Sequence, residues 1–274
     1  MRRPLIVALV TILVLGGLVW AGWSAYRFFY ERITPEECYV TTPDGGAVRL
    51  SPAMARNASV IVAASVERGL PEQAAVIAIA TAYQESGLRN LDYGDRDSLG
   101  LFQQRPSYGW GTEEQIMDPW YSSHRFYEEL VKFTDWETSD VNDIAQKVQR
   151  SGHPEAYRKH EQNSIAIAAA LRGSAPESLG CVSFEPDESP DHSGLERVLQ
   201  AHGLTAEEAD GGLIITAPDE AAAWAAAHHV VANSYEAAVT EVQLGDRTWQ
   251  ARSQDWATAS ASGDPLTISV SIRS

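Results

Sequence analysis

Apolar residues run from Leu5 to Trp23 without a charge, Thr11 being the only hydroxyl in the stretch. Nineteen helical residues would span roughly 29 Å, about the hydrocarbon thickness of a bilayer. Trp20, Trp23, Tyr26, Phe28, Phe29 and Tyr30 follow as an aromatic belt, and Arg2 and Arg3 favour a cytoplasmic start. The run exceeds the ~7–15 apolar residues of a cleaved secretory signal, and no good small-x-small site follows it. The pattern therefore predicts a cytoplasmic start and transmembrane anchor over residues 1–30. A single-pass location in the cell membrane is expected, with the bulk of the chain extracytoplasmic.

Residues 31–50 read as an irregular juxtamembrane segment with a turn at Thr42-Pro43-Asp44-Gly45-Gly46. Helix punctuation then becomes regular. Ser51-Pro52 opens a helix that Gly69 closes, and Pro71-Glu72 opens the next, closed by Gly87. Ala74–Ala82 is apolar on every face, the mark of a central buried helix. Further helices are expected from Asp118-Pro119 to about Phe133, from Asp140 to Arg150 and from Pro154 to Leu171. No strand-like alternation appears between 51 and 173, so residues 51–181 are expected to form an all-α domain. A polar, proline-containing linker over 182–193 leads to a small acidic α+β domain at 194–274. There, helices near Gly194–His202 and Pro218–Ala232 are interleaved with strands at Leu213–Thr216, Ala238–Leu244 and Leu266–Ile272. The fold class expected for the whole chain is mainly α.

Charge changes the picture only by exclusion. The net charge is −16 over 274 residues, and Val182–Ser274 alone carries fifteen Asp/Glu against four Arg. Such a surface repels nucleic acid, and it gives no electrostatic help in capturing anionic polymers. The two cysteines, Cys38 and Cys181, bracket the middle of the chain. In an oxidising compartment they can close a very long loop; two buried free thiols are the alternative. Neither belongs to a CxxC pair.

Glu85 is the residue that most needs explaining. It stands in the last turn of the most apolar helix, two residues before Gly87. The negative end of the helix dipole and partial burial both favour its protonated form. A carboxyl group still protonated near neutral pH is what a glycosidic oxygen needs as proton donor.

Ala82-x-x-Glu85-Ser86-Gly87, followed by Gly100-Leu101-Phe102-Gln103, resembles the soluble lytic transglycosylase and goose-type lysozyme-like superfamily. The longer Gly100-Leu-Phe-Gln-Gln-Arg-Pro-x-x-Gly-Trp-Gly-Thr112 stretch is similar to membrane-anchored lysozyme-like proteins of actinobacteria. A chain with eighteen Arg and three Lys fits a high-GC genome. The resemblance covers about residues 51–173. It implies cleavage of the MurNAc–GlcNAc bond of peptidoglycan glycan strands without water, leaving a 1,6-anhydro end, with Glu85 as general acid/base. It also implies that Ser86 and the Gly100–Gln103 turn, Phe102 included, wall the sugar groove, with Gln103 hydrogen-bonding the N-acetylated substrate. The family carries Tyr-Asn-Ala-Gly before its last core helix, where this chain has Gln149-Arg150-Ser151-Gly152. The tyrosine hydroxyl that touches the catalytic glutamate is therefore either missing or supplied elsewhere, with Tyr157 a candidate. Gln149 and Tyr157 complete the expected substrate-binding set.

Asp92, Asp95 and Asp97 occupy the loop where goose-type lysozymes place a second carboxylate. If Asp95 or Asp97 stood ~6.5–9.5 Å from Glu85, the chain would be an inverting hydrolase. A solvated Asp/Gly turn is the plainer account of these residues, and a non-catalytic wall-binding scaffold is a further alternative. His153 and His160 are too far apart for a helical metal pair and read as surface residues, as does His228-His229. Tyr108, Trp110, Trp120 and Tyr121 flank the motif, where aromatics either stack on sugars or serve the core. No cofactor, metal or phosphate-loop signature stands out. The expected partners are glycan strands, the membrane through the N-terminal helix, no nucleic acid, and, as an open alternative, a protein for the tail.

Overall fold

The computed structural model describes residues 2–150, 155–184, 189–209 and 211–273, with the side chains of residues 2–10, 27–28 and 30–33 excepted. Residues 1–36 and 37–274 are two separate compact units. The first holds helix α1 (Arg2–Ile33).

Helices take 46% of the chain and strands 18%, the latter in two antiparallel sheets, so the mainly-α class expected from sequence is corrected to α+β. The transmembrane anchor is corrected with it. Among the described residues, no helix is long and apolar enough to cross a membrane. The continuous stretch of α1 with described side chains, Thr11–Tyr26, rises roughly 24 Å, short of the ~30 Å hydrocarbon core. Leu5–Val10, Phe28 and Tyr30, on which the expectation also leaned, lie outside the described side chains.

The second unit opens where an irregular segment was expected. Strands β1 (Glu37–Thr41) and β2 (Ala47–Leu50) form a hairpin whose alternate residues Cys38, Val40, Val48 and Leu50 are buried. β3 (Leu179–Val182) adds on the other side of β1, giving the order β2-β1-β3. Cys38 and Cys181 face each other in this register, with Cα atoms 3.9 Å apart, and are joined by a disulfide. The helical region is therefore not all-α, since a three-stranded sheet fastens its two ends together.

Between those strands lie α2 (Pro52–Glu67), α3 (Glu72–Ser86), α4 (Glu113–Met117), α5 (Pro119–Leu130), α6 (Val141–Gln149) and α7 (Glu161–Leu171). Ser51 caps α2 and Asp118 caps α5, each side-chain oxygen accepting a backbone N–H in the first turn. α3 is the central helix: Ala74 to Ala82 are all buried, and α2, α5, α6 and α7 surround it.

The tail carries α8 (Ser193–Ala201), α9 (Glu220–Ala232) and a six-stranded antiparallel sheet. That sheet comprises β4 (Ala206–Ala209), β5 (Gly212–Thr216), β6 (Val239–Leu244), β7 (Arg247–Gln250), β8 (Ala257–Thr258) and β9 (Thr267–Ile272), in the order β4-β5-β9-β6-β7-β8. α9 lies between this sheet and the helices, packing on α2, α7 and β3 as well as β6 and β9. Its alanine-rich sequence lets it be covered on all sides.

His228 and His229, expected at the surface, are fully buried on α9. Ser59 Oγ of α2 lies 2.7 Å from His229 Nδ1, and Asn233 Nδ2 donates to the same oxygen at 3.1 Å. His228 Nδ1 donates to Ala170 O at 2.7 Å, and the His202 ring stands edge-on to His229 at 4.5 Å. Burial pushes His228 down to about 4, and burial with the nearby Arg172 charge does the same for His202. His229 falls well below its ordinary value through burial, and then through its two histidine neighbours. The folded protein thus keeps these rings neutral, while the unfolded chain takes up protons from about pH 6.5 downward. Stability is fully present above that value and drops as pH falls toward 4. Thermal melts at successive pH values should show Tm falling through this window, and a flat Tm from pH 7 to 4.5 would contradict the buried cluster.

Candidate active site

The last turn of α3 leaves the core, so that Tyr83, Gln84 and Glu85 are half-buried while Ser86 is buried. Gly87 ends the helix in the left-handed region at φ 64°, and its N–H donates to Tyr83 O at 3.0 Å. Asn57 of α2 fixes the exit of the chain by donating from Nδ2 to Leu88 O at 2.8 Å. Glu85 is thus held on a rigid helix end at the edge of a groove of about 420 Å³. The groove is lined by Glu85, Asp95, Ser98, Gln103, Gln104, Arg105, Tyr108, Trp110, Gln149 and Arg150.

A partner of Glu85 comes from far along the chain. Tyr157 Oη donates to Glu85 Oε1 at 2.6 Å, and the Tyr157 ring is fully buried. Its backbone is held by Asn142, whose Oδ1 accepts from the N–H groups of Tyr157 and Arg158 at 3.2 Å each. A tyrosine hydroxyl does reach the glutamate, therefore, from a position eight residues beyond Gln149 (Ser151 and Gly152 lie outside the described residues). Asn142 carries no local motif that would have revealed this role.

The other expected residues divide into groove wall and scaffold. Ser86 does not line the groove. Its Oγ lies 2.7 Å from Leu101 O and 3.0 Å from Ala82 O, tying the end of α3 to the Gly100–Gln103 turn. Phe102 is fully buried and stacks on Phe126 at 4.8 Å, so its side chain cannot touch a sugar. Its carbonyl instead accepts from Gln149 Nε2 at 2.8 Å, which fixes Gln149 in the groove wall. Gly100 is buried at φ 76°, with its N–H donating to Leu91 O at 2.7 Å.

Gln103 does line the groove, but its amide is partly engaged. Nε2 lies 3.3 Å from both Tyr93 O and Gly100 O. Its Oε1 sits against Gly94, where a Cβ would be only 1.9 Å away, so residue 94 has no room for a side chain.

The two candidate second carboxylates are separated by their surroundings. Asp97 Oδ1 accepts from Arg105 Nε at 2.7 Å, and its Oδ2 accepts from Ser107 N at 2.9 Å. The Ser107 hydroxyl and N–H, then the Arg105 guanidinium, hold Asp97 well below the usual carboxylate range. Asp97 is a strut for the loop, while Asp95 lines the groove. His160, expected at the surface, is half-buried and stacks on Tyr83 at 4.9 Å, with Nε2 3.2 Å from Gln84 Oε1. His153 lies outside the described residues. Arg105 and Arg150 are groove residues that sequence reasoning did not single out. Among the described residues, no cluster of His, Cys, Asp or Glu is disposed to hold a metal ion.

No family model matches the chain, and no curated protein matches it.

Proposed function

We propose that the groove binds peptidoglycan glycan strands and cleaves the MurNAc–GlcNAc bond in the manner of a lytic transglycosylase. The observation that carries this reading is the 2.6 Å contact from Tyr157 Oη to Glu85 Oε1 at the wall of the groove. In this reading Glu85 delivers a carboxyl proton while Tyr157 Oη holds Oε1 in place. That proton passes to the glycosidic oxygen as the C1–O bond breaks, and the tyrosine hydroxyl stabilises the carboxylate left behind. The carboxylate then takes the proton of the substrate's own 6-hydroxyl as that oxygen closes on C1. The product is a 1,6-anhydro sugar and no water is consumed. The Cys38–Cys181 disulfide supports a working place outside the reducing cytoplasm.

The presence of Asp95 in the same groove favours a second reading, inverting hydrolysis by water activated on that carboxylate. Mass spectrometry of sacculi digested with the purified protein tests both. Anhydro ends are expected; new reducing ends would favour hydrolysis through Asp95. Binding without any release would leave only a wall-binding role.

Tyr157→Phe isolates the contribution of the hydroxyl. A hydrogen bond to a charged group contributes about 1.5–3 kcal/mol, so kcat should fall roughly tenfold to a hundredfold with little change in KM. An unchanged kcat in a variant of normal melting temperature would remove Tyr157 from the mechanism.

A further inference from the structure

We infer that Arg105 and Arg150 make the groove selective for a carboxylate borne by the glycan strand, an inference that rests on the reading of the groove just given. In a chain of net charge −16, two arginines, Arg105 and Arg150, nonetheless line the groove. Against the overall negative charge, a local pair of cations can favour an anionic ligand.

Arg105 is immobilised before any ligand arrives. Its Nε donates to Asp97 at 2.7 Å, its guanidinium carbon lies 4.3 Å from the centre of the Tyr108 ring, and Asp97 is itself held by Ser107. Its two terminal nitrogens make no hydrogen bond to a carboxylate among the described residues. A planar fork fixed in this way suits two-point recognition of a carboxylate and loses little freedom on binding. Arg150 supplies the second cation. It ends α6 in the left-handed region at φ 53°, a conformation that non-glycine residues adopt at a cost, and it forms no ion pair among the described residues. Among the described residues, neither groove carboxylate, Glu85 or Asp95, forms an ion pair with Arg105 or Arg150, and Asp95 lies 3.9 Å from Arg96.

Peptidoglycan offers this chemistry from two sources. The stem peptide carries free carboxylates, and the lactyl group of the muramyl sugar exposes one when the stem is removed. A neutral chitin-type oligosaccharide carries none.

Equilibrium binding to the full-length protein tests the inference with four soluble probes: stem-bearing strands, stem-stripped strands, and each of these after chemical amidation of its carboxylates. Native strands should bind about tenfold or more tighter than their amidated forms, the size expected for a charge-assisted pair. Selectivity confined to the stem-bearing probes identifies the stem carboxylates, and selectivity retained by stripped strands identifies the lactyl group. Arg150→Gln should lower this discrimination, and Arg105→Lys should lower it further by removing the fork while keeping the charge. Because Arg105 also braces the Asp97 loop, Arg150→Gln with an unchanged Tm is the deciding variant. Equal binding of native and amidated strands, or full discrimination surviving in Arg150→Gln, overturns the inference. Failure to release products from sacculi would defeat the enzymatic reading alone, because the carboxylate preference is read by binding. Binding of none of the four probes would defeat both.

Discussion

Glu85→Gln should abolish release of glycan fragments from sacculi while leaving the fold and groove binding intact. Glutamine preserves the length of the side chain and can still accept from Tyr157 Oη, the 2.6 Å contact of the native side chain. What it cannot do is deliver a proton to the leaving oxygen. Positioned proton transfer contributes about 10²–10⁴-fold. Glu85 serves both halves of the proposed reaction, so the observed loss should sit at the upper end of that range. Asp97→Asn should reduce activity less, because Asp97 braces Arg105 and Ser107 and does not line the groove. Product analysis by mass spectrometry, run with a melting curve for each variant, is the measurement. A Glu85→Gln protein that still released fragments at the native rate would place the chemistry elsewhere.

The second large effect concerns the disulfide. Cys38 and Cys181 are both about 1% exposed, and their bond links positions 143 residues apart. In the chain-entropy account, closing a loop of that length removes up to about 5 kcal/mol of freedom from the unfolded state, and native disulfides typically contribute about 2–5 kcal/mol. For a domain of this size each kcal/mol moves Tm by about 2–4 °C, so Cys38→Ala with Cys181→Ala should melt roughly 10 °C lower. Calorimetry of the oxidised protein and of this double variant decides the matter. Identical melting temperatures would show that the strand pairing alone holds the two ends together.

Helices α2, α3 and α5 were legible because local residues punctuate them: Ser51-Pro52, Gly87 and Asp118-Pro119 act within a turn of where they stand. The hairpin at 37–50 was not legible. Its strands are five and four residues long, too short for alternation to stand out, and β1 is completed by β3, more than a hundred residues away. β3 itself is buried at all four positions and shows no alternation.

The site followed the same division. Glu85 could be picked out from a helix end and a spacing. The side on which Phe102 falls depends on the register of the turn after Gly100, and it falls against Phe126. Asp97 meets Arg105 and Ser107 while Asp95 lines the groove, a difference set by tertiary contacts. Tyr157 reaches Glu85 across 72 residues of chain, guided by a buried asparagine whose Oδ1 accepts from the backbone N–H groups of Tyr157 and Arg158. For His228 and His229 a signal did exist. A helix apolar on all faces is a buried helix, and histidines within it are buried too.

The strand register around Cys38 also sets how the protein can go wrong while being oxidised. The chain has two cysteines, so no incorrect pairing exists within one molecule. The native bond forms at a rate independent of concentration once β1 and β3 align, whereas the competing product requires two chains to meet. The balance between monomer and covalent dimer is therefore governed by the number of nascent chains per unit volume, and dilution during refolding acts on the competing product alone.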